Sequence, residues 1–163
     1  MRNLKVLLKD KLNKAQRIGL LGVGSEFRGD DVAGVLVAKS LAAKIKNRKF
    51  KVFLGETAPE NLTGEIKKFK PTHLLIIDAA DIGRKAGSVT MLCAKDIAGA
   101  TFSTHRLPLK MLAEYFRLTS DCAIFIIAIQ PKSIKVSDKV CDEVKVAAKK
   151  IKQSLNLLIK EAK

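Results

Sequence analysis

Apolar positions along this chain follow two alternating rhythms. Residues 17–23 (RIGLLGV), 73–78 (HLLIID) and 122–129 (CAIFIIAI) are short, nearly unbroken apolar runs, as expected of strands buried on both faces. Residues 49–54 and 89–93 read as two further strands, the second preceded by a Gly-containing turn at 84–88. Between them the apolar period lengthens to that of a helix. Leu4, Leu7, Leu8 and Leu12 predict a leading helix over 3–14, and Val32, Val35, Leu36, Leu41 and Ile45 predict another over 31–46. Pro59, at an early-turn position, opens a helix that runs to about residue 69. Residues 107–118 and 138–162 supply two more. No repeat, linker or low-complexity tract interrupts the order.

Strands that alternate with helices imply a mostly parallel sheet covered on both faces. Residues 88–93 follow the third strand too soon for a helical crossover, so that strand is predicted to run antiparallel. The expected fold class is α/β: a three-layer α/β/α sandwich on a five-stranded, mostly parallel sheet. A length of 163 residues suits a single domain over 1–163.

Charge alters this picture less than its size suggests. Lys and Arg number 31 against 16 acidic residues, for a net +15. Many of these cations lie at 1–14 and 138–163, interleaved with apolar residues at helical spacing, and read as solvated helix faces. Trp is absent and Tyr occurs once, so stacking platforms for nucleic acid are scarce and no nucleic-acid partner is expected. Cys93, Cys122 and Cys141 form no CxxC pair and make an odd count, which fits a reducing compartment and small buried side chains. Lys5, Lys9 and Asp10 interrupt the first apolar stretch, excluding a signal peptide, and the longest apolar runs are too short to span a bilayer. A soluble, cytoplasmic protein without a membrane partner is expected, with a monomer favoured.

In open α/β sheets ligands bind beyond the carboxyl ends of the strands. Three loops there carry polar residues: Gly22 to Asp31 after the first strand, Asp78 to Asp81 after the third, and Ser103 to Arg106 after the fourth. Asp31, Asp78 and His105 are thereby predicted to share one edge. Two carboxylates and an imidazole form an oxygen–oxygen–nitrogen set suited to nickel or zinc, with coordination positions left for water or substrate. Each residue also has a plainer role open to it. Asp30 or Asp31 would serve as a helix cap, Asp78 as a strand-end acceptor for loop amides, and His105 as a loop histidine. His73, at the opposite edge, is read as structural. Gly22-x-Gly24 does not continue as a dinucleotide fingerprint, because Phe27 occupies the next required glycine position, and no Lys-Ser/Thr follows Gly29 to make a phosphate loop. Its expected task is a tight turn that lets backbone approach a ligand, with Gly34 permitting close helix–sheet packing.

The segments GVGSEFRGDDVAG (22–34), TAPEN (57–61), LLIIDAADIGRKAG (74–87), STHRLPL (103–109) and IQP (129–131) resemble, in order, the motifs of hydrogenase maturation proteases, the hydrogenase-3 type in particular. The resemblance covers roughly residues 17–131. It implies a phosphorylase/hydrolase-like sandwich and an endopeptidase that removes the C-terminal extension of a [NiFe]-hydrogenase large-subunit precursor after nickel insertion. It also implies that Asp31, Asp78 and His105 are the catalytic and nickel-recognising residues. Nickel would arrive on the substrate, with zinc or another divalent ion as a surrogate. The leading helix 3–14 and the basic helix 138–162 lie outside these motifs and receive no role from it. Two rivals are an RNA-directed hydrolase resembling peptidyl-tRNA hydrolase, favoured by net charge, and a non-catalytic chaperone for the same nickel precursor.

Overall fold

The computed structural model describes residues 4–45, 47–93, 101–102 and 106–161. The chain order is α1 (Leu4–Leu12), β1 (Ile18–Val23), a 3₁₀ turn (Gly29–Val32), α2 (Ala33–Ala42), β2 (Phe50–Glu56) and a second 3₁₀ turn (Pro59–Leu62). It continues with α3 (Thr63–Phe69), β3 (His73–Asp81), β4 (Val89–Cys93), β5 (Thr101–Phe102), α4 (Arg106–Thr119), β6 (Ala123–Ile129) and α5 (Asp142–Glu161). The main sheet runs β2-β1-β3-β6-β4. Its pairs are parallel except β4 against β6, the antiparallel edge anticipated from the short connection. This is the three-layer α/β/α sandwich with five main strands. The two-residue β5, which pairs antiparallel with the end of β3, is a sixth that the apolar pattern does not signal.

Alternation along the strands sorts the core into two layers. Leu20, Leu75, Ile77, Ile127 and Ile129 pack with α1, α2 and α5, whereas Leu21, Val23, Leu74, Ile76 and Ile126 pack with α3 and α4. Both faces being covered explains why β1 is buried at every position. On α5, Val144, Ala147, Ala148, Ile151, Leu155 and Ile159 form the buried face, while Lys145, Lys149 and Lys150 stand in solvent, as the charge pattern predicts. No described helix is long and apolar enough to cross a membrane.

Three boundaries differ from the apolar pattern. The helix expected over 31–46 begins as a 3₁₀ turn and becomes α-helical only at Ala33. The one expected from residue 59 likewise opens with a 3₁₀ turn. The closing helix starts at Asp142 rather than near 138, because residues 132–141 are held in a loop by Asp30.

Strand order creates the crevice that matters. β2 lies on one side of β1 and β3 on the other, so successive connections leave β1 in opposite directions. That reversal, at the carboxyl ends of β1 and β3, is where open α/β sheets hold their ligands.

Candidate active site

Asp31 and Asp78 are both brought to this crevice, and both are wholly buried. Asp78 belongs to β3, opposite Ala128 of β6, and follows Ile77 at the point where β1 ends. Its place in the alternation puts it on the same face of β3 as Ile76 and Ala80, the face covered by α4. Asp31 lies in the 3₁₀ turn between β1 and α2, a turn that packs on β3.

Two glycines allow this closeness. Gly24 has φ +139°, a region that side-chain-bearing residues avoid, and a Cβ there would lie 1.8 Å from the Asp31 carbonyl oxygen. A Cβ on Gly34 would lie 1.9 Å from Ile77 O and 2.4 Å from Val23 O, so α2 starts directly against the ends of both strands. Gly34 therefore has its anticipated packing role. At Gly24 the missing side chain admits the backbone of Asp31.

The adjacent aspartates do different work. Asp30 accepts three backbone N–H groups, from Lys132 (2.8 Å) and Ser133 (3.2 Å) on Oδ2 and from Cys141 (2.7 Å) on Oδ1. Burial works against its ionisation, but these amides outweigh burial and hold the carboxyl below its usual range. Asp31 Oδ2 accepts the Ser25 N–H at 3.0 Å, closing a loop back to the end of β1. Neither the 3₁₀ turn nor α2 has a side-chain N-cap hydrogen bond, so the capping role open to these aspartates is not the one they take.

His105 lies outside the described residues. Its neighbours along the chain are placed, however: Phe102 pairs with Ala80, two residues beyond Asp78, and α4 begins at Arg106. Among the described residues, no three His, Cys, Asp or Glu side chains are grouped as if to hold a metal ion. The described part of the expected donor set is the pair of buried aspartates.

Gln130 is a residue that reasoning from the sequence did not single out, although the IQP segment contains it. It is nearly buried, and its Oε1 accepts from Ile82 N (2.8 Å) and Arg84 N (3.2 Å) while Nε2 donates to Asp81 Oδ1 (3.3 Å). It thereby fixes the β3–β4 loop beside Asp78. Arg28 is half-buried and donates through Nε to Ile134 O (3.2 Å), so it braces the 130–141 loop. His73 is where a structural histidine belongs: at the amino edge, stacked on Phe125 with ring centroids 6.2 Å apart, and bonded through Nδ1 to Thr72 Oγ1 (3.1 Å). No disulfide joins the described cysteines. Cys122 is buried, its thiol pushed up to about 12 by desolvation, so it is not a nucleophile.

Fold and site together define a hydrolase-like α/β protein with acidic groups buried at the switch point. Comparison with known proteins gives the family. The hydrogenase maturation protease family model matches residues 35–161. A Methanocaldococcus jannaschii protein assigned to the hydrogenase maturation proteases is 33% identical, over 98% of this chain and 98% of its own. The hydrogenase 3 maturation protease of Escherichia coli K12 is 35% identical, over 83% of this chain and 86% of its own. The crystal structure of the [NiFe] hydrogenase maturation protease HycI from Thermococcus kodakarensis superposes with a TM-score of 0.86 at 30% identity, covering 94% of this chain and 99% of that one. The chain belongs to the hydrogenase maturation protease family. It is accordingly an endopeptidase of hydrogenase maturation.

Proposed function

We propose that the protein cuts the C-terminal extension from a [NiFe]-hydrogenase large-subunit precursor once nickel is in place, and that Asp31, Asp78 and His105 meet the nickel the substrate carries. The observation behind this reading is the pair of wholly buried aspartates at the switch point. Open α/β sheets hold their ligands at this point. Carboxylates and imidazole are also the donor types that suit nickel. His105 stands three residues along the chain from Phe102, whose strand pairing is beside Asp78.

In this reading the aspartates test whether the precursor is loaded, because a substrate lacking the cation gives them no charge to bind. A cation held there would polarise the scissile carbonyl or activate water. One carboxylate serving as general base is the alternative division of labour. Zinc or another divalent ion in the precursor would act as a surrogate. The protein works as a cytoplasmic monomer, and its lysines are solvated faces rather than an RNA footprint.

The test is incubation of the protein with nickel-loaded and nickel-free precursor, followed by mass determination of both products. Loss of one C-terminal peptide from the loaded form alone is the expected result. Equal cutting of both forms would remove nickel from the account. Binding without cutting would favour the chaperone reading, and RNA binding that falls steeply with salt would favour the RNA-directed one.

A further inference from the structure

The loop at 130–141 is pinned along much of its length, yet it carries exposed apolar residues. Besides the three amides held by Asp30, Gly29 N–H donates to Ser137 O (2.7 Å) and Ser137 N–H donates to Phe27 O (3.0 Å). Arg28 and Ser137 form a parallel β-bridge, and the bond from Ser137 N–H to Phe27 O brings the chain at Phe27 next to the chain at Val136. Both project into solvent, Phe27 with 77% of its surface exposed and Val136 with 89%. Lone exposed apolar side chains are ordinary. Two on neighbouring, braced stretches of backbone have less backbone freedom to lose on binding.

Charge and position select what they bind. Lys135 and Lys139 are exposed in the same loop, and neither makes an ion pair with a described residue. Lys132 is engaged by Glu143 at 3.7 Å, and Asp138 is the loop's one acidic residue, so the local balance is cationic, as is the whole chain at +15. Phe27 lies within the 25–31 turn whose ends are joined by the bond from Ser25 N–H to Asp31 Oδ2. Phe27 is thus an exposed apolar residue of the same turn that carries Asp31.

The geometry points to Phe27 and Val136, with Lys135 and Lys139, as the docking surface for the folded body of the precursor, an acidic-rimmed apolar hollow near its scissile segment. This rests on the substrate reading proposed above. The apolar pair supplies the anchor, and the lysines accelerate encounter and set its salt dependence.

The test is steady-state processing of nickel-loaded large-subunit precursor by the full-length protein and its variants. Phe27→Ser and Val136→Ser should each raise KM about tenfold with kcat within about twofold, and Phe27→Leu should restore most of the loss. Lys135→Glu with Lys139→Glu should raise KM at low salt and flatten its salt dependence. Met111→Ser with Leu118→Ser, at apolar positions on α4 that are also largely exposed, should match wild type. An unchanged KM for Phe27→Ser overturns the docking surface, as does an equal rise in the α4 control. A wild-type protein that leaves loaded precursor uncut overturns the proposed substrate, and this inference with it.

Discussion

The two edges of the sheet use similar residues to opposite ends. At the amino edge, Thr72 Oγ1 accepts the Gln16 and Arg17 amides (3.0 and 3.2 Å), Arg17 Nε donates to Lys70 O (2.9 Å), and His73 leans on Phe125. There is also a hollow of about 350 Å³ between α1, α5 and the starts of β1 and β2, where Lys9 and Glu161 pair with each other at 2.7 Å. Polar groups there tie chain to chain and stay near water. At the carboxyl edge, two aspartates of the switch point are wholly buried, and glycines admit the backbone that places one of them. A concave surface alone does not mark a site. Buried charge placed by local backbone compromise does.

The largest expected difference between the edges is in activity. Asp78→Asn and His105→Ala should each lower precursor processing to about one hundredth or less, a loss typical of removing a group that meets developing charge. His73→Ala should process near normally, as read by precursor conversion on a gel. A strong loss in His73→Ala would erase the distinction.

Next is stability at the carboxyl edge itself. Asp30→Ala leaves three part-buried amides without their acceptor and should cost about 1–3 kcal/mol in denaturant unfolding. Gly34→Ala should cost about 1–3 kcal/mol by forcing α2 off the ends of β1 and β3. Gly64→Ala, in α3 with nothing within 4 Å of its Cβ, should instead stabilise by about 0.5 kcal/mol. Similar costs at Gly34 and Gly64 would show that the close approach does not constrain the site.

The smallest effect is at the amino edge and depends on pH. Desolvation lowers the His73 pKa in the folded state, so the unfolded chain takes up a proton first as pH falls. The stability this neutral ring contributes is present above the ordinary histidine value and is lost as pH falls through it toward the lowered one. Melting from pH 7.5 to 5 should show a small loss in wild type that His73→Gln lacks.

Much of this was open to reading without coordinates, and the exceptions have physical causes. The strands are legible because burial on both faces leaves unbroken apolar runs such as Leu74 to Ile77. The site's edge is legible because strand order and chain direction place Asp31 and Asp78 there, and five ordered motifs name the family. The resemblance assigns Asp31 to the site, but the task of its neighbour Asp30 is not legible. Asp30 bonds to residues more than 100 positions away, and local sequence carries no sign of that. The late start of α5 has the same cause. β5 is too short for any period to show, and Gln130 reads as a strand-end polar residue until its contacts to the β3–β4 loop are seen.

The central claim is that the buried carboxylate of Asp31 faces the substrate's metal rather than merely shaping a turn. Asn at position 31 would keep an oxygen for the Ser25 N–H while removing the negative charge. The most direct measurement is cleavage of nickel-loaded precursor by Asp31→Asn beside wild type, with thermal melting of both. The account predicts a melting curve close to wild type and processing reduced about a hundredfold or more. Full processing by Asp31→Asn would contradict it, leaving this aspartate a structural role in its turn.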